Sequence, residues 1–74
     1  MTRDEIMQTA IAHWRAHYRR KVAGWTEQQM LAQAGGIADL ALMEMNALAL
    51  IGVDAATAWP DVRNQMVMVP PPQL

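Results

Sequence analysis

Two histidines spaced four residues apart are the first side chains in this sequence whose type and spacing could do chemistry. His13 and His17 would lie on one face of a helix, as the two imidazole ligands of many zinc sites do. Zinc normally takes three or four protein ligands, and the chain has no cysteine and no HExxH pattern to complete a set. The pattern therefore favours ordinary histidines at the border of a buried helix face, and we expect neither a metal nor a cofactor.

Basic and aromatic residues alternate in the segment His13–Lys21. Arg and Lys neutralise phosphates and exposed rings stack on unpaired bases, so a nucleic-acid contact is one interpretation. Trp14 and Tyr18, however, are four residues apart and belong to the apolar face of the same helix. The basic face then has no stacking platform, and a solvated surface or a docking site for an acidic protein patch are the other interpretations. Its candidate partner-binding residues are Arg15, Arg19 and Arg20.

No set of residues suits nucleophilic catalysis. The chain contains neither Ser nor Cys, and no glycine-rich phosphate loop follows a strand pattern. Adjacent carboxylates such as Asp4 and Glu5 point in different directions on a helix. These observations predict a protein that is not an enzyme.

Length and charge limit the remaining classes. A chain of 74 residues is one domain, and a chain this short is marginally stable unless disulfides, metals or oligomerisation assist it. The formal net charge of −1 gives no overall attraction to nucleic acid or to an anionic bilayer. The first residues lack the apolar core of a secretion signal, so we expect a cytoplasmic protein.

The first half of the chain predicts a long helix. Thr2 and Glu5 have the spacing of a capping box, and apolar residues then recur at intervals of three and four. Gly24 is a typical residue just after a helix end. The first helix is therefore predicted over about residues 3–23.

A second helix is predicted over about residues 27–51, after a short turn. Thr26 and Gln29 form its capping box, and such a short connection places the two helices antiparallel. The pair Gly35-Gly36 is unfavourable in a helix interior. It predicts a kink or break, with close packing inside a continuous helix as the alternative.

The C-terminal part is predicted to be a short helix and a tail. Asp54 suits an N-cap, and the short helix is placed over about 55–67 although Pro60 disfavours helical geometry just before it. Residues 1–68 form the single helical domain, and the proline-rich residues 69–74 form an extended tail. Three apolar side chains beside the tail are further candidate partner contacts: Trp59, Met66 and Met68.

The segment 36–53 is apolar nearly all round a helix. Such a helix is buried or spans a membrane, and this one is too short and too acidic for a span. We therefore expect a second copy to cover it. The candidate dimer contacts are Ile37, Leu40, Glu44, Leu48 and Ile51. Glu44, in the middle of this stripe, is expected to reach water at an edge or to pair with an Arg or His of the first helix. A charge that sets the register or recognises a partner is the alternative.

Taken together, these features predict an all-α protein: an antiparallel helical hairpin, a short third helical segment and an extended tail, in a four-helix-like homodimer. The leading functional hypothesis is a non-enzymatic interaction module that serves as accessory factor, inhibitor or assembly subunit of a larger protein. The alternative is a nucleic-acid-associated dimer that uses the basic face. We expect no membrane partner.

Overall fold

The computed structural model describes residues 1–74 and contains helices but no strand, which confirms the all-α prediction. The α-helices are α1 (Arg3–His17), α2 (Arg19–Val22), α3 (Glu27–Leu50) and α4 (Ala55–Val62). A π-helical segment over Arg63–Val67 follows α4 directly. None of the helices combines the length and apolarity needed to cross a bilayer.

The first helix is shorter than predicted because it is interrupted at Tyr18. This residue leaves helical geometry (φ −132°, ψ 37°) while its N–H still donates to the Trp14 carbonyl at 2.7 Å. The N–H groups of Lys21 and Val22 both donate to the Tyr18 carbonyl, which starts the separate turn α2. The apolar spacing continues through the interruption and buries Val22, so periodicity alone did not reveal it.

Helix α3 is continuous for 24 residues, and the break expected at Gly35-Gly36 does not occur. Gly35 is buried, and a Cβ there would lie 2.6 Å from Nη2 of Arg3. The Arg3 guanidinium in turn bonds Asp39, one turn further along α3, with its Nε 2.7 Å from Oδ1. The first glycine therefore makes room for a side chain instead of bending the helix.

Helix α4 contains Pro60 in its interior, and the helical path nevertheless continues to Val67. Asp54 caps its first turn by accepting from the Thr57 N–H at 2.8 Å. The path then widens into the π-helical segment, which ends with an N–H of Met68 on the Arg63 carbonyl at 2.7 Å.

The core is built around Trp14 of α1. Its side chain is fully buried, its ring meets Trp25 edge-on with centroids 5.6 Å apart, and its Nε1–H donates to the Val69 carbonyl at 2.8 Å. The last bond ties the start of the C-terminal tail to α1, and Pro71 beyond it is buried.

Helix α1 packs chiefly on α3, and the two contribute side chains of very different size. From α1 come bulky residues such as Ile6 and Ile11, whereas the residues of α3 most deeply buried in the contact are small. Those small, fully buried residues are Ala34, Ala38 and Ala41. The two helices approach closely because the large side chains of one lie over the small ones of the other.

Candidate interaction surface

The side of α3 that faces away from α1 is apolar and uncovered. Four large side chains are mostly exposed: Leu40 57%, Met43 67%, Leu50 83% and Ile51 76%. Ala47 lies between Met43 and Leu50, Gly36 lies one turn before Leu40, and both are exposed too. We call these six residues the outer face.

The spacing of residues along α3 explains why this face points outward. Gly36, Leu40, Met43, Ala47 and Leu50 follow one another at steps of four, three, four and three, which keeps them on one side of a helix. The buried alanines, which follow the same type of step, lie on the opposite side. Helix α3 therefore carries two apolar faces, of which its own chain covers only one.

The outer face is not a consequence of loose folding. The accessible surface of the chain is 4934 Å². A folded monomer of this mass is expected to expose about 4,600 Å². The excess is small, so the unusual property is the position of the large apolar side chains. Full burial of each would contribute about 1.5–3 kcal/mol relative to exposure.

Polar and half-buried residues border the outer face. Ile37 and Leu48 pack partly against the core, so they lie at its edge and not at its centre. Glu44 is exposed at the edge of the face and makes no ion pair with α1. Asp39 and Asn46 are exposed on the other border. The five predicted dimer contacts thus divide between the outer face and its rim.

An open groove continues the apolar surface around α3 towards α4 and the N-terminus. Its volume is about 550 Å³. Its lining residues are Met1, Leu42, Met43, Met45, Asn46, Ala49 and Ala55. Methionine side chains adapt to irregular partners, so this groove widens the area that a packed polypeptide can contact.

The basic face lies at the other end of the molecule, on the last turn of α1 and on α2. Arg15 is held by Glu27 at 3.3 Å, whereas Arg19 and Arg20 are exposed and form no ion pair. The Lys21 ammonium lies 5.7 Å from the centre of the half-buried Tyr18 ring. Trp14 is buried, and the Tyr18 and Trp25 rings beside Arg19 are half-buried, so none of the three is fully exposed for stacking on a base.

The candidate contacts in the C-terminal part are folded onto the body. Trp59 and Met66 are half-buried and pack against the core, while Met68 remains exposed. Of the three, Met68 is the most exposed, at 37%, while Trp59 and Met66 keep a smaller part of their surface in water.

The two histidines lie side by side, with ring centroids 4.9 Å apart. The buried Nδ1 of His13 has no hydrogen-bond partner. No cluster of three or more His, Cys, Asp or Glu residues surrounds a point where a metal ion could bind. Two imidazoles alone fall short of a zinc ligand set.

The shifted pKa values belong to structural contacts. The hydrogen bond from Arg3 lowers the pKa of Asp39, and the same contact raises the pKa of Arg3. The backbone N–H of Thr57 lowers the pKa of Asp54 at the start of α4. An ion pair and a helix cap explain these shifts, so none of them points to acid–base chemistry.

No protein-family model matches the chain, and comparison with curated proteins and with solved structures also finds no match. Function is therefore inferred from the surface of the molecule itself.

Sequence reasoning did not include Leu50, Gly36 and Ala47 among the contact residues. Their signal was present as the four-three alternation that passes through Leu40. A helix that is apolar on all sides contains several such stripes. Which stripe stays exposed depends on which of them packs against α1.

Proposed function

We propose that this chain is a non-enzymatic protein-interaction module, which acts as an accessory factor, inhibitor or assembly subunit by packing α3 against other polypeptide. The observation that carries the proposal is the exposure of Leu40, Met43, Leu50 and Ile51 along one side of a well-formed helix. Contiguous apolar surface of this kind, bordered by polar residues, is typical of sites that bind protein.

The arrangement of charges supports the same proposal. The acidic residues of α3 are Glu27, Asp39 and Glu44, and the helix carries no basic side chain. The ion pairs Arg3–Asp39 and Arg15–Glu27 fit an antiparallel hairpin of α1 and α3, with the outer face on its free side. Such a hairpin becomes four-helix-like when a second pair of helices covers that face.

A nucleic-acid contact through the basic face remains the second proposal. Its support is the exposure of Arg19 and Arg20 without a neighbouring carboxylate partner. Binding of this type weakens steeply as salt is added, because each phosphate contact releases counterions.

The test compares two matched double variants of the tagged, full-length chain in lysate of the cells that make it. Leu40→Gln with Met43→Gln removes the centre of the outer face, and Arg19→Gln with Arg20→Gln removes the free charges of the basic face. All four positions are exposed, so both variants should keep the wild-type helical circular dichroism. We expect the first variant to lose the proteins that wild type captures and the second to retain them. Salt-sensitive capture of nucleic acid that only the arginine variant loses would favour the second proposal.

A further inference from the structure

We infer that the outer face is covered by a second copy of this chain, with the two α3 helices packed antiparallel about a twofold axis that passes between Leu40 and Ala47. The inference rests on the proposed function, because it names the partner for the same face. Three properties of the face lead to it: its extent, the order of its large and small residues, and the charges along its two borders.

The extent of the face fixes the position of the axis. The six residues of the outer face run from Gly36 to Ile51, a helix length of about 24 Å. Two identical stretches cover each other completely only when the middle of one lies on the middle of the other. That middle lies near Met43, so an axis displaced by a helical turn would leave large side chains of both copies in water.

The order of residue sizes favours opposite helix directions. Gly36 lies at one end of the face and Leu50 at the other, with Leu40 and Ala47 between them. In a parallel, in-register pair each residue meets its own counterpart, so the glycines and the alanines would face each other across gaps. In an antiparallel pair the end with Gly36 receives the end with Leu50, and the large side chains fill the space that the small ones leave.

The side chains on the two borders of the face also distinguish a parallel from an antiparallel pair of α3 helices. One border carries Ile37 and Glu44 and adjoins Ile51 of the outer face, and the other carries Asp39 and Asn46. In a parallel pair each border faces the opposite border of the second copy. Asp39 of one copy then lies near Glu44 of the other, and symmetry repeats this contact. In an antiparallel pair like borders meet, so Ile37 approaches Ile51 of the second copy and Asp39 approaches Asn46. One repulsive contact, Glu44 with its counterpart, then remains at the axis, and the helix dipoles oppose each other favourably.

The basic face stays open in this dimer. Arg19 and Arg20 precede α3 and lie outside the covered length. A helix pair of this length gives an interface at the small end of the range for specific complexes, so we expect dissociation in the micromolar range.

The experiment uses the absence of cysteine, which makes every introduced thiol unique. Met43→Cys lies near the axis, whereas Leu50→Cys lies about 20 Å along the helix from its counterpart in the antiparallel dimer. Gly36→Cys is tolerated because a Cβ there meets nothing within 4 Å. Ala16→Cys, exposed on α1, is the control for collisions.

We expect the mass of wild type by light scattering to rise from that of the 8.3 kDa monomer to twice that value as its concentration passes through the micromolar range. Mild oxidation should link Met43→Cys to itself and should link Gly36→Cys to Leu50→Cys when the two are mixed. Leu50→Cys alone and Ala16→Cys should remain unlinked, because a disulfide needs Cβ atoms about 4 Å apart. Glu44→Gln should tighten the dimer several-fold by removing the repulsion at the axis.

Self-linking of Leu50→Cys without the mixed product would overturn the antiparallel arrangement. A mass of 8 kDa that persists to several hundred micromolar would overturn self-association. In that second case the proposed function stands or falls separately, on whether Leu40→Gln with Met43→Gln still loses the captured protein.

Discussion

The two sides of α3 differ in residue size more than in hydrophobicity. Towards α1 the helix presents Ala34, Ala38 and Ala41, all fully buried. Away from α1 it presents Leu40, Met43 and Leu50, which are mostly exposed. Both sides are apolar, yet the larger and more hydrophobic side chains are in water.

The partner helix explains this inversion. Helix α1 brings Trp14 and Ile6 into the contact, and both are fully buried. A close approach of two helices cannot hold bulky residues from both at every level, so the small side of α3 fits and its large side is turned outward. A residue's place in the core thus depends on what faces it as well as on its own hydrophobicity.

The largest expected difference between the two sides comes from removing one large side chain from each. Trp14→Ala leaves a cavity, loses the ring contact with Trp25 and leaves the Val69 carbonyl without its donor. We expect a loss of about 3–5 kcal/mol in the free energy of unfolding by urea. Leu50→Ala, measured at a dilution where the chain is monomeric, should change it by about 0.5 kcal/mol or less, because that side chain is 83% exposed.

If Trp14→Ala does not fold at all, the result still agrees with the prediction, because it is a larger loss of stability in the expected direction. Equal losses for the two variants in dilute solution would contradict the comparison, since they would mean that Leu50 is buried within its own chain.

A second test adds side-chain volume to each side instead of removing it. Ala38→Leu forces three further carbons into the close contact with α1 and should cost about 1–3 kcal/mol by urea denaturation. Ala47→Leu adds the same atoms to an exposed position and should leave the monomer within about 0.5 kcal/mol of wild type. A loss for Ala47→Leu as large as that for Ala38→Leu would show that both sides of α3 are packed in the monomer.

Much of the local structure was predictable from the sequence. Both capping boxes form as predicted, Thr2 with Glu5 and Thr26 with Gln29, because capping depends on side chains only three residues apart. The interruption at Tyr18 was not predictable, since the apolar period is the same on its two sides.

The choice of outward side on α3 was the part of the candidate site that sequence could not settle. Leu40 and Ile51 were among the predicted contacts, but Ile37 and Leu48 proved half-buried, and Leu50 was missed. Hydrophobic patterning identifies a helix that needs cover on all sides. It does not predict which side of α3 packs against the bulky residues of α1, because that depends on the fit between two helices far apart in sequence.

The glycine pair provides a smaller difference between the two sides. Gly36 lies on the outer face with open space where a Cβ would be, so Gly36→Ala should stabilise the dilute monomer by about 0.5–1 kcal/mol through helix propensity alone. Gly35→Ala gains the same propensity, but its Cβ would displace the Arg3 guanidinium and disturb the bond to Asp39. Thermal melting should therefore rank Gly36→Ala above Gly35→Ala, and the reverse order would contradict the contact between Arg3 and Gly35.

The smallest expected effect is the pH dependence of the stability contributed by the ion pair Arg3–Asp39, which joins α1 to α3. Its hydrogen bond from Arg3 lowers the pKa of Asp39 below the value in the unfolded chain, so the folded state binds this proton less readily. The stability that it contributes is therefore fully present above about pH 4 and is lost as the pH falls through the folded-state pKa. Asp39→Asn should melt slightly below wild type at neutral pH, and the gap should close in acid. Both side chains are exposed, so the gap will be modest and will shrink with added salt.

Arg3→Gln should give the same gap, and the double variant should lose no more than either single one, because all three lack the same contact. A gap that stays constant from neutral pH to about pH 2 would show that the two residues act independently.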